Sequence, residues 1–201
     1  MSRRSLSILA GAVFALVLAI VAMVTMNISP TGRSGGGMGT ADIGGPFTLT
    51  AEDGTTVTDA DFLGKPTAIF FGFTFCPDVC PTTLFELSGL IDDLGADADR
   101  LNFAFVSVDW ERDGPEQLAL YTSSFDDRIQ GLAGTEEQIE AITKAYRVYY
   151  RKVPTDDGDY TIDHTASVYL MNGEGGFVGT LSYGEAHDSM LEKLRRLAAK
   201  G

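Results

Sequence analysis

Thr67 to Phe75 is a nearly unbroken run of β-branched, aromatic and small apolar residues, and it constrains the fold more than any other stretch. A strand this apolar is buried on both faces, which calls for a sheet covered by helices. Lys65-Pro66 marks a turn before it. After it, Pro81 to Leu94 repeats apolar residues at a helical period: Leu84, Leu87, Leu90, Ile91 and Leu94. Leu101 to Val108 reads as a second buried strand, and Pro115 to Phe125 as a second helix with Pro at its start. Thr135 and Gln138 have capping-box spacing for a third helix through Tyr146. Phe47–Thr50 and Thr55–Val57 flank a turn at Glu52-Asp53-Gly54 as a hairpin. Thr165–Met171 and Phe177–Tyr183 flank Asn172-Gly173 in the same way. Asp188 is placed to cap a closing helix through Ala199, and Tyr149 to Asp163 reads as a long surface loop or hairpin. This order implies an α/β class with a mixed sheet flanked by helices and added hairpins.

The chain has 201 residues with 15 Lys and Arg against 28 Asp and Glu. Setting aside Arg3, Arg4 and Arg33, residues from 35 onward carry 12 basic and all 28 acidic side chains. Such an acidic domain is unsuited to nucleic acid, whose phosphates require Lys and Arg. It suits cationic partners, either a metal ion or a basic protein face.

Leu6 to Met26 holds 21 residues without a charge, about 31 Å of helix, enough for a hydrocarbon core. Arg3 and Arg4 precede it, which keeps the N-terminus in the cytoplasm. The run is longer than a signal-peptide core, and its end at Met23-Val24-Thr25-Met26-Asn27 offers no Ala-x-Ala cleavage site. The expected organisation is a cytoplasmic start at 1–5, a transmembrane anchor at 6–28, a flexible linker at 29–43 and one domain at 44–201. The domain then lies in the periplasm of a bacterial cytoplasmic membrane, with the mitochondrial inner membrane as the alternative. Either compartment is oxidising for thiols.

The only two Cys, Cys76 and Cys80, stand four apart in Phe75-Cys76-Pro77-Asp78-Val79-Cys80-Pro81. A helical or helix-like turn brings both sulfurs to one face at the strand–helix junction. Unpaired N–H groups at a helix start favour thiolate. Two thiolates fall short of a four-ligand zinc site but suit Cu(I), with imidazole a natural third donor. The chain has two His. His164 reads as a loop position just before a strand at a sheet edge, whereas His187 leads into the last helix and reads as a surface or capping residue. Asp156-Asp157-Gly158-Asp159 is a turn without the spaced ligands of a calcium loop. Phe70, Phe71, Phe73 and Phe75 read as core and site wall.

Taken in order, Gly64-Lys65-Pro66, Phe70-Phe71-Gly72-Phe73-Thr74, Cys76-Pro77-Asp78-Val79-Cys80-Pro81, Ser107-Val108-Asp109, Glu111-Arg112-Asp113, Tyr146-Val148-Tyr149 and Asp163-His164-Thr165 resemble the Sco/SenC family of membrane-tethered copper proteins. The likeness covers about residues 44–198 plus the anchor. It implies a thioredoxin-like fold and places the family's copper ligands on Cys76, Cys80 and His164. It also implies delivery of copper to the copper-A centre of cytochrome c oxidase subunit II, with a separate copper donor and thiol reductant. Asp78 and Asp163 could bias the site electrostatically. Trp110 is a departure: the family usually has Pro after the Asp of that strand.

Two functions stay open. In one, Cys76 and Cys80 carry copper with His164. In the other, the pair is a thiol–disulfide oxidoreductase, with Cys76 attacking and Cys80 resolving, that reduces the client's copper-ligand cysteines or serves redox signalling. A thiol peroxidase is a third possibility that no sequence feature favours.

Overall fold

The computed structural model describes residues 43–200. The expected anchor and nearly all of the linker lie outside these residues. Among the described residues no helix is long and apolar enough to cross a membrane.

The Thr67 run forms β3 (Thr67–Gly72), with all six residues buried. The strand ends three residues earlier than its composition suggests, because Thr74 N–H and Oγ1–H donate to the Asp113 carboxylate at 2.8 and 2.6 Å instead of continuing a ladder. β4 (Asn102–Ser107) lies parallel to β3, and β5 (Ile129–Ala133) parallel to β4. The hairpin β1 (Thr48–Ala51) and β2 (Thr56–Thr58) joins antiparallel to β5. The hairpin β8 (Ser167–Met171) and β9 (Phe177–Ser182) joins antiparallel to β3. The seven strands run β2-β1-β5-β4-β3-β8-β9, placing β3 and β4 deep in the mixed sheet. Strand β5 has no counterpart among the sequence expectations.

Among the described residues four α-helices accompany the sheet: α1 (Val79–Leu94), α2 (Pro115–Thr122), α3 (Glu136–Ala145) and α4 (His187–Ala198). The expected Leu positions of α1 are buried with Ile91 and Cys80. The capping box of α3 forms between Thr135 and Gln138. The α3 C-terminus closes as a Schellman turn: Val148 N–H donates to the Thr143 carbonyl and Arg147 N–H to that of Lys144, with Arg147 at φ 54°. Asp188 is not the cap of α4. That position is Ala186, with no side-chain cap, and Asp188 sits in the first turn.

Tyr149 to Asp163 resolves into a hairpin, β6 (Tyr150–Pro154) and β7 (Tyr160–His164), paired as a separate two-stranded sheet. His164 is not in a loop: it is the last residue of β7, in register with Tyr150 on the neighbouring strand. At the hairpin tip, Thr155 N–H donates to the Asp159 carbonyl at 2.9 Å and Asp157 accepts from Thr155 Oγ1. The acidic run is therefore a hydrogen-bonded turn, as its composition suggests.

Candidate metal centre

The chain leaves β3 at Gly72, turns through Phe73–Asp78 and enters α1 at Val79. The N-cap residue Asp78 makes no side-chain cap bond. Pro81, third in the helix, has no N–H to satisfy. The backbone N–H of Cys80 finds its acceptor in Cys76 Sγ at 3.4 Å, so a sulfur does the work usually given to a capping oxygen. Helix start and thiol chemistry are thus one arrangement.

Cys80 is fully buried, whereas Cys76 is partly exposed. Burial and the neighbouring Cys76 push the Cys80 thiol up, so it keeps its proton. The Cys80 S–H facing Cys76 is the main cause that holds the Cys76 thiol well below the ordinary range. His164 and the N–H groups of Asp78 and Cys80 add to it. The pair is a partly exposed thiolate backed by a buried thiol.

His164 comes from the other side. Its Nε2 stands 3.3 Å from Cys80 Sγ, and its Nδ1 stands 3.0 Å from the Thr165 carbonyl. A carbonyl only accepts, so Nδ1 donates there and Nε2 is the ring nitrogen turned toward the sulfurs. The Phe70 and Phe73 rings meet the imidazole edge-on at 6.0 and 5.8 Å, fixing its plane. Ligand atoms of Cys76, Cys80 and His164 lie within 4.8 Å of one another, and no fourth His, Cys, Asp or Glu joins that group among the described residues. Two soft sulfurs and one imidazole nitrogen fit copper and leave a closed structural zinc site short of a ligand.

The remaining sequence candidates fall elsewhere. His187 is at the start of α4, with Nε2 2.8 Å from Asp93 Oδ2, a surface pair as expected. Asp163 turns outward to Arg151 at 2.9 Å. The partner of His164 Nδ1 is thus a backbone carbonyl and not that carboxylate. Asp78 is exposed and reaches only toward Thr82. Phe70, Phe71 and Phe73 are buried, but Phe75 is 55% exposed and lies under the Arg112 guanidinium at 4.7 Å. It borders the site at the surface and does not belong to the core.

Three supports stand in motifs that carry the resemblance, but nothing in the local sequence gives them a role. Gly72 leaves room for the Cys80 sulfur. Asp113 accepts from Thr74 and Ser107 and pins the Cys-bearing loop to the end of β4. Arg112 joins Asp109, Tyr160 and Phe75 across the same end of the sheet.

Residues 36–199 match the family model described as SCO1/SenC. The chain belongs to the SCO1/SenC family. Its α/β architecture is thioredoxin-like, as the resemblance implied. Protein SenC of Rhodobacter capsulatus is 38% identical over 182 residues, covering 88% of this chain and 82% of its own. The mitochondrial SCO1 homolog 1 of Arabidopsis thaliana is 42% identical over 160 residues, 78% of this chain. The match spans only 46% of that relative's length. Bradyrhizobium japonicum ScoI, solved with copper bound, aligns with a TM-score of 0.73 at 50% identity, covering 77% of this chain and 99% of that one. Copper is the ion to consider at the two sulfurs and the imidazole of this SCO1/SenC member.

Proposed function

We propose that this protein is a membrane-anchored copper carrier, with Cys76, Cys80 and His164 as the ligands, serving assembly of the copper-A centre in cytochrome c oxidase subunit II. The observation that carries this reading is the convergence of two sulfurs and an imidazole nitrogen within 4.8 Å. The copper-bound state of ScoI supports the choice of ion. Cu(I) is the softer cargo and suits the two sulfurs, with Cys80 giving up its proton as the ion binds; Cu(II) draws on the imidazole as well. Release follows when a client offers a better donor set. The acidic surface favours a basic client face. In this reading residues 6–28 tether the domain to a bacterial cytoplasmic membrane and the domain works in the periplasm, supplied by a copper donor and a thiol reductant.

The thiol asymmetry favours a second, compatible activity. The Cys76 thiolate attacks a client disulfide, forming a mixed disulfide and expelling one client thiolate. Cys80 gives up its proton and attacks Cys76, expelling the second. Two client thiols and a Cys76–Cys80 disulfide result, which a donor thiol must reduce.

An anaerobic Cu(II) titration of the reduced full-length chain tests the carrier. The expected result is a stable one-to-one complex with strong sulfur-to-copper charge-transfer absorption, lost in His164→Ala. Oxidation of both thiols with no copper retained would overturn it and leave thiol exchange as the leading account.

A further inference from the structure

The hairpin carrying His164 shares no ladder with the seven-stranded sheet. Much of its hold on the domain runs through one short turn. Asp113 N–H donates to the Asp109 carbonyl at 3.0 Å, closing a turn with Trp110 and Glu111 at its tip. Asp109 through Arg112 each reach the hairpin. Asp109 Oδ1 and Glu111 Oε2 accept from the Tyr160 hydroxyl at 2.7 and 3.1 Å. Arg112 stacks on the Tyr160 ring at 3.8 Å and donates to its carbonyl at 3.0 Å.

Trp110 makes the contact nearest to His164 in register. Its ring meets the Tyr150 ring edge-on at 6.0 Å, and Tyr150 is the cross-strand partner of His164. Lys152, two residues along and facing Ile162 in the ladder, puts Nζ 4.4 Å from the Trp110 ring centroid and 2.7 Å from Glu111 Oε1. The cation is held by a ring and a carboxylate at once, which fixes the first strand of the hairpin over the turn. The same turn holds the cysteine loop through Asp113 and Thr74. Both halves of the donor set are thus referenced to residues 109–113.

We infer that the Trp110–Lys152–Tyr150 cluster is a positioning device for His164 that sets how tightly the site holds divalent relative to monovalent copper. The inference rests on the carrier reading above. It follows from the division of ligands: both sulfurs sit on the β3–α1 segment, and only the imidazole depends on where the hairpin lies. Loosening the hairpin removes a donor that Cu(II) requires and that Cu(I), satisfied by two thiolates, can do without.

The test uses the full-length chain and Trp110→Ala, Trp110→Phe and Lys152→Met, the last a side chain at the edge of the cluster that also serves if Trp110→Ala fails to fold. Three quantities are read: Cu(II) affinity by chelator competition, Cu(I) affinity by anaerobic competition, and hydrogen exchange at residues 160–164 without copper. Trp110→Ala and Lys152→Met are expected to weaken Cu(II) by about tenfold or more and Cu(I) by less than about twofold. Amides of β7 should exchange faster while those of β3 and β4 do not. Trp110→Phe, which keeps a ring against Tyr150, should recover most of the loss. Equal weakening of both copper states, or no weakening of either, would overturn the inference. If the unaltered protein holds no copper, the carrier reading fails, and unchanged β7 exchange in the variants would separately refute the clamp.

Discussion

Gly72 and Cys80 face each other with no space for another carbon. A Cβ placed on Gly72 would lie 2.6 Å from Cys80 Sγ and 2.8 Å from Phe105 Cε2. Gly72→Ala therefore forces either the thiol or the ring from its place, an overpacking cost of about 1–3 kcal/mol. The urea midpoint should fall with an unchanged slope, and copper affinity should fall with it because the displaced atom is a proposed ligand. A variant with wild-type stability and copper binding would show that the thiol moves freely.

Cys76 owes its low pKa first to the Cys80 S–H. Alkylation of Cys76 by iodoacetamide should therefore stay fast from neutral pH well into the acid range, slowing only where the thiolate takes up a proton. Cys80→Ala removes that donor and should move the midpoint up by about one unit or more; Cys80→Ser, which keeps a hydroxyl, should move it less. A wild-type midpoint near about 8.5, that of a free thiol, would refute the arrangement.

Asp113 is buried and accepts from Thr74 N–H at 2.8 Å, from Thr74 Oγ1 at 2.6 Å and from Ser107 Oγ at 2.6 Å. Asp113→Ala strands three donors and should cost about 3 kcal/mol in urea unfolding. Asp113→Asn, which keeps one acceptor oxygen, should cost less. The released loop should also open Cys80 to a thiol reagent such as dithionitrobenzoate, measured by its reaction rate in a Cys76→Ser background.

Glu185 is held down to about 2 by Lys193 first, then by the Ser189 hydroxyl and the Ser182 N–H. Its folded pKa lies below the unfolded value, so it stabilises the protein fully above about pH 4.5. That contribution fades as pH falls toward about 2. Glu185→Gln should be less stable than wild type by about 1 kcal/mol at pH 7, the solvent limiting the pair. The gap should close on acidification, followed by urea melts between pH 7 and pH 2.5 or so.

Much of the sheet was legible because its residues declare it: the apolar run of β3, the spacing of α1 and the capping box of α3 are local signals. Strand β5 was not. Gln130, Gly131 and Ala133 carry no strand preference. Gly131 lies there because Glu52 Oε1 accepts its N–H at 2.8 Å and Leu118 packs where a side chain would be. Composition and scarcity bring the two Cys and His164 into view, and the structure places them together. Residues 109–113 stood out as motifs, but what the turn holds did not, because its partners, Thr74, Lys152 and Tyr160, lie about 40 or 50 residues away along the chain. Asp78 was set beside the sulfurs by sequence adjacency alone, and Asp163 by adjacency to His164. A strand turns neighbouring side chains to opposite faces, which is how Asp163 came to point at Arg151.

The two sulfurs differ in standing as well as in charge. Cys80 has no surface of its own and Cys76 has some, so an incoming donor atom can approach the pair from one side only. In the carrier reading proposed above, the outer bond would yield first and the inner sulfur, walled by Gly72 and Phe105, would be last to let go. Loading would run through the same doorway with the order reversed, so the depth at which each thiol is set would rank the two bonds.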